Sequence, residues 1–263
     1  MRARAGASLV VALASVFALT SCTPSPQTTY VADNGQEVTV DWADYPGYAG
    51  VDSAQVLLAP SAEETRAQSA AILGEIEARL SDEFGLVWEN APSGDGQRVD
   101  GDFYPSDGNG YGGESLYVTF NALGRESLSI PSSADDWNRI IAVIAEVTQS
   151  YGLGDLNSDG LGTMGNSHAG GPLTGENLDT YWQWGGTAYG RSQWVYASLM
   201  DVDRDESGTA LEDMKGSIEY GWNPSSINIS YGATILPAAD RASYVKRVAP
   251  FEGLARPAAT SSD

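Results

Sequence analysis

One cysteine and one histidine among 263 residues exclude an intramolecular disulfide and any zinc site built from a Cys/His cluster. Basic side chains are scarce as well. Fourteen stand against 35 acidic ones, for a formal charge of −21, so DNA or RNA meets Coulomb repulsion and not a cationic footprint. The lone histidine, His168, sits in Gly165-Asn166-Ser167-His168-Ala169. That run approaches the G-x-S-x-G nucleophile elbow, but it ends on alanine. An elbow serine takes its base from a later segment, where this chain has no histidine, so a Ser-His-Asp mechanism lacks its base. What is present is a chain 42% hydrophobic and 10% aromatic, enough to bury a core.

Arg2 and Arg4 precede an apolar run over 5–20, short of the roughly 20 residues of a spanning helix and of the size found in secretion signals. The run closes on Leu19-Thr20-Ser21-Cys22, which resembles the lipobox of bacterial lipoproteins. That resemblance implies that residues 1–21 are removed and that Cys22 carries diacylglycerol as the mature N-terminus. It places the protein on the outer face of the cell membrane. Each buried methylene contributes about 0.8 kcal/mol, so a diacyl group holds where a single chain exchanges. Residues 22–35, opening Cys22-Thr23-Pro24-Ser25-Pro26, read as a Pro/Ser/Thr tether. Excess acid keeps the body off anionic lipid, which leaves the acyl group as the expected membrane contact. A single monomeric domain is expected over 36–255, with a disordered tail over 256–263.

Two long helices are legible. Ser61 and Glu64 stand in capping-box spacing before Leu73, Ile76, Leu80 and Phe84; Ser133 and Asp136 do the same before Trp137, Ile140, Ile141, Ile144 and Val147. Both end on an aromatic followed by Gly-Leu, at Phe84-Gly85-Leu86 and Tyr151-Gly152-Leu153, where glycine supplies a left-handed terminus. A third helix is predicted over 237–248, ended by Pro250. Alternation predicts strands at Leu116/Val118/Phe120, Trp194/Tyr196/Met200, Ile218/Tyr220/Trp222 and Ile227/Ile229/Tyr231. Shorter strands are expected at 38–40 and 86–88, and 93–113 reads as a mobile Gly/Asp-rich loop. Asn223-Pro224-Ser225 reads as a tight connection and 203–216 as a longer acidic one. The fold class is therefore α+β: a mainly antiparallel sheet with two or three helices packed on one face. This element order, with the lipobox and the helix running from Trp137 to Tyr151-Gly152, is similar to the LppA-like lipoproteins of actinobacteria. The resemblance implies an envelope lipoprotein and carries no active-site residue with it.

Two acidic loops are candidate calcium sites. Asp155, Asn157 and Asp159 occupy positions 1, 3 and 5 of a calcium loop with Gly160 at 6, but position 12 is Asn166. Asp201, Asp203, Asp205 and Glu212 match positions 1, 3, 5 and 12, with Glu206 where the turn needs glycine. Weak calcium binding is one reading; Asx turns and a solvated acidic loop are the other. Aromatics are dense from Tyr181 to Tyr231, and Trp182, Trp184, Trp194 and Trp222 are the candidate ligand contacts. If exposed, the face shared by Trp182 and Trp184 suits a cell-wall glycan; if buried, it is core. Together these features point to an exported, lipid-anchored envelope protein with a non-catalytic binding or structural role; they name no partner, and a wall glycan and an envelope protein are the candidates. A calcium-stabilised or cell-wall-glycan-binding module is one alternative, and a carboxylate-dependent envelope hydrolase is the other, since 35 acids offer many pairs.

Overall fold

The computed structural model describes residues 24–92, 101–106, 108–157, 182–205 and 208–260. The fold is α+β. Among the described residues there are ten strands and six α-helices: β1 (Gln27–Val31), β2 (Glu37–Asp41), α1 (Ser53–Leu57), α2 (Ala62–Phe84), β3 (Trp88–Asn90), β4 (Asp102–Pro105), β5 (Val118–Asn121) and β6 (Arg125–Ser127) come first. Then follow α3 (Ala134–Ser150), β7 (Leu156–Asn157), β8 (Gln183–Tyr189), β9 (Gln193–Asp201), α4 (Ala210–Asp213), α5 (Lys215–Glu219), β10 (Ser225–Ile235) and α6 (Arg241–Val248). Eight strands form one antiparallel sheet, ordered β3-β6-β10-β9-β8-β7, with β5 pairing the far half of β10 and β4 pairing β5.

The two long helices start where their caps place them. Ser61 Oγ accepts from Glu64 N while Glu64 Oε2 accepts from Ser61 N at 2.8 Å, and Ser133 Oγ accepts from Asp136 N. These bonds hold Glu64 below the usual carboxylate range, the backbone bond from Ser61 being the larger cause. Gly85 at φ 68° closes α2 and Gly152 at φ 78° closes α3. One apolar face of each helix, Ile72, Ile76 and Leu80 with Ile140, Ile144 and Val147, packs on Val195, Ala197, Leu199, Ile227 and Ile229 of the sheet. On the outer surface Arg139 bridges Glu83 and Glu146, and Arg79 pairs with Glu146, tying α2 to α3.

A second core is aromatic and gathers the two ends of the chain. Trp42, Tyr45, Tyr111, Tyr117, Tyr244 and Phe251 are buried together, with ring centroids of Trp42 and Phe251 5.1 Å apart. Asn109, wholly buried, organises it: its amide donates to the carbonyls of Trp42, Ala43 and Tyr45 at 2.8–3.0 Å, and its oxygen accepts from Tyr111 N and Gly113 N. The region expected as a mobile loop thus holds strand β4 and an ordered turn among its described residues. The ends differ from expectation in the same direction. The tether gives way to strand β1 at Gln27, and Pro26 O already accepts from Trp42 N. Past 255, Arg256 donates to Val51 O and stacks on Tyr45, while Thr260 N bonds Gly110 O. The aromatic core recruits both segments because it buries rings that the main core leaves uncovered.

The strand expected at Ile218/Tyr220/Trp222 is instead the end of α5. Gly221, at φ 89°, lets its N–H reach Ile218 O and the Trp222 N–H reach Ser217 O, a Schellman ending. The three alternating side chains are exposed, so their alternation marked no buried face. The link from β9 to β10 is consequently helical, and α4 and α5 fold over one end of the sheet face opposite α2 and α3, where Ala210 and Met214 meet Met200 and Trp182. Helices therefore reach both faces. At the C-terminal end α6 begins later than expected and ends at Val248 as expected, with Pro250 inside the short 3-10 turn that follows it.

Candidate functional site

Alternation along β9 gives the sheet two different faces. Val195, Ala197 and Leu199 turn to the long helices and are fully buried; Trp194, Tyr196, Ser198 and Met200 turn away. Register extends the second face across the sheet. Ser198 lies opposite Asn228 and Gly185, Asn228 opposite Glu126, and Glu126 opposite Glu89. One level along, Tyr196 lies opposite Ser230 and Thr187.

A cavity of about 220 Å³ opens on this second face, lined by Tyr196, Ser198, Asn228 and Glu126 from the strands and by Trp222 and Asn223 from the turn after α5. The Schellman ending of α5 is what carries Trp222 there. Trp222 is 49% exposed. Glu126 is 2% exposed, and Asn223 Nδ2 donates to its Oε2 at 2.8 Å. Asn228 Nδ2 donates to Ser226 Oγ at 2.9 Å. Burial pushes the Tyr196 phenol above its ordinary pKa against a smaller opposing hydrogen bond with Ser198, so Tyr196 remains a neutral hydrogen-bonding group. Among the described lining residues there is no lysine or arginine. The site offers two amphipathic rings, two primary amides, hydroxyls and one carboxylate.

The four candidate tryptophans separate by face. Trp182 and Trp184 are 5% and 3% exposed and belong to packed clusters, which corrects their reading as ligand contacts: they are core. A Cβ on Gly186 would come within 2.8 Å of the Trp184 ring, so the Gly185-Gly186 interruption makes room for that indole. Trp194 is half-buried on the second face, its ring lying over Gly232 directly opposite. Trp222 alone of the four lines the cavity.

The acidic loops are placed differently. Asp201 Oδ1 accepts from Asp203 N, and Asp205 Oδ2 accepts from Ala210 N at 2.7 Å, so these carboxylates cap the turn and α4. Asp203 and Glu212 are exposed. Asp155 accepts from Gln149 Nε2, and Asn157 pairs with Thr187 in the ladder. Asp159, the Ser167-His168 run and Cys22 lie outside the described residues. Among the described residues no three His, Cys, Asp or Glu side chains gather where they could hold a metal ion, and no helix is long and apolar enough to cross a membrane.

Sequence reading passed over Glu126 and Asn228. Arg125-Glu126-Ser127 is too short and polar to announce a strand, and only the pairing with β10 turns Glu126 inward. No family model matches the chain, and no curated protein does. Among solved structures it is similar to LppA of Mycobacterium tuberculosis, a protein assigned as a lipoprotein, with 13% identity over 78% of this chain and 87% of that one, and a TM-score of 0.36. At that level the likeness transfers neither residue nor role.

Proposed function

We propose that the protein is exported, is anchored to the outer face of the cell membrane through diacylglycerol on Cys22, and presents a non-catalytic binding domain there. The observation that carries this reading is the lipobox-like Leu19-Thr20-Ser21-Cys22 at the end of a signal-sized apolar run. The start of the fold fits it. Four residues lead from Cys22 to Pro26, whose carbonyl is already held by Trp42 N; at about 3.3–3.6 Å each they span at most about 14 Å. The acyl group would remain the membrane contact, with the start of β1 held within that distance of the lipid. Mass spectrometry of the protein extracted from membranes tests the anchor. The expected N-terminal peptide begins at diacylglyceryl-Cys22, and Cys22→Ser leaves the membrane fraction. An unmodified Cys22, or cleavage at another bond, overturns the reading.

Binding is favoured over turnover by the amides and rings that dominate the cavity lining. A second reading, a carboxylate-dependent hydrolase, has one observation in its favour: Glu89 lies directly opposite Glu126 on the same sheet face. Paired carboxylates are what glycoside hydrolysis uses. Turnover of wall polysaccharide that disappears in Glu126→Gln would establish that reading in place of the first.

A further inference from the structure

We propose that the cavity on the second sheet face is a binding site for one uncharged sugar ring, held by Trp222 and Tyr196 across its C–H face and by Asn223, Asn228, Ser198 and Glu126 at its hydroxyls. The proposal rests on the binding reading above and not on the lipid anchor.

Charge selects the ligand class first. The described lining has no cation and one carboxylate, in a chain of charge −21, so phosphate, nucleotides and carboxylates are repelled. A purely apolar ligand is disfavoured as well. It would strip water from the half-buried Asn228 and Asn223 amides without replacing their hydrogen bonds.

A ligand that satisfies this lining has an apolar face edged with groups that both donate and accept. Sugar rings have that form: C–H groups project from a face, and hydroxyls project from the rim. Primary amides donate and accept at once, and a carboxylate accepts from two hydroxyls. The rings supply the complement. Trp222 is half-exposed, Tyr196 is half-buried and neutral, and both line the cavity, the amphipathic pair that suits a partner with one apolar and one wet side.

Rigidity supports the same assignment. Asn228, Ser198 and Glu126 stand on three adjacent paired strands, and Asn223 is tied to Glu126, so little ordering remains to be done when the ligand enters. Size limits it to one ring: about 220 Å³ is below the roughly 300–1,000 Å³ of sites for drug-sized ligands. A longer glycan would leave its remaining units outside.

The test is calorimetry and tryptophan emission on the whole mature chain, titrated separately with galactose, arabinose, N-acetylglucosamine and, as an anionic control, inorganic phosphate. At least one of the three sugars is expected to bind saturably at one site and to alter emission. Trp222→Ala should weaken binding on the order of tenfold or more, as loss of an aromatic anchor does, and Asn228→Ala should weaken it by a similar factor. Trp222 is exposed, so its variant should melt with the parent and report on binding alone. Absence of saturable binding by all three sugars, binding of phosphate in their place, or full affinity in Trp222→Ala would each overturn the proposal. None of these results bears on Cys22 modification.

Discussion

The two faces of the sheet are built from alternate residues of the same strands, yet they are finished in different ways. On one, Val195, Ala197 and Leu199 disappear beneath α2 and α3. On the other, Tyr196 and Ser198 meet a cavity, and among the described residues α4 and α5 cover the end near Met200. A device common to both makes the contrast sharper. Each face lays one indole over a glycine: Trp184 over Gly186 on the sealed side, Trp194 over Gly232 on the other. The sealed indole is 3% exposed and braces the core; its counterpart is half-buried at the surface. Tryptophan content therefore says little about function until the face is known. A fully covered ring contributes burial energy, whereas one with an edge in water remains available to a ligand.

The largest expected effect is on the sealed face. Leu199→Ala should cost about 2–5 kcal/mol of stability, measured by urea unfolding, because a buried leucine leaves a cavity among rigid neighbours. Gly186→Ala comes next, at about 1–3 kcal/mol by overpacking: the new methyl meets the Trp184 ring at 2.8 Å and the Asn157 carbonyl at 2.9 Å, and the backbone atom cannot swing aside. Gly232→Ala should cost less, since the Trp194 ring it strikes has solvent to move into; the expected signature is a red-shifted emission with a small drop in melting temperature. If Gly232→Ala proved the more damaging of the two, the distinction between the faces would fail.

The smallest effect concerns the outer surface of the long helices. Hydrogen bonds from Arg79 first, then Arg139, hold Glu146 below its ordinary pKa. A depressed carboxylate contributes stability above its unfolded pKa and loses it as pH falls through the lowered folded value. Glu146→Gln should thus lower the melting temperature slightly near neutrality and flatten its fall in acid. Equal acid slopes for parent and variant would contradict this.

Much of the sealed half was legible in the sequence. Ser61/Glu64 and Ser133/Asp136 announced two helix starts, and Phe84-Gly85 and Tyr151-Gly152 announced their ends, because caps are local chemistry. The same signal stood at Tyr220-Gly221 and was overridden by the alternation of Ile218, Tyr220 and Trp222, which a short exposed helix produces equally well. The turn that brings Trp222 to the cavity is therefore not visible in that alternation. Glu126 and Asn228 were illegible for another reason: their inward direction depends on β6 pairing with β10, a contact about a hundred residues away in sequence. Asn109 belongs to the same class. Three of its five side-chain hydrogen bonds reach the carbonyls of Trp42, Ala43 and Tyr45, and nothing in the Gly/Asp-rich run around it distinguishes it from a loop residue.

Oxidative footprinting of the tryptophan side chains, with and without the best-binding sugar, measures directly which face ligand and solvent reach. Trp222 is expected to oxidise first and Trp194 after it, with Trp182, Trp184, Trp42 and Trp137 resistant, and saturating sugar should protect Trp222 selectively. Oxidation of Trp184 as fast as Trp222, or a bound sugar that leaves Trp222 as reactive as before, would contradict the assignment of the second face as the functional one.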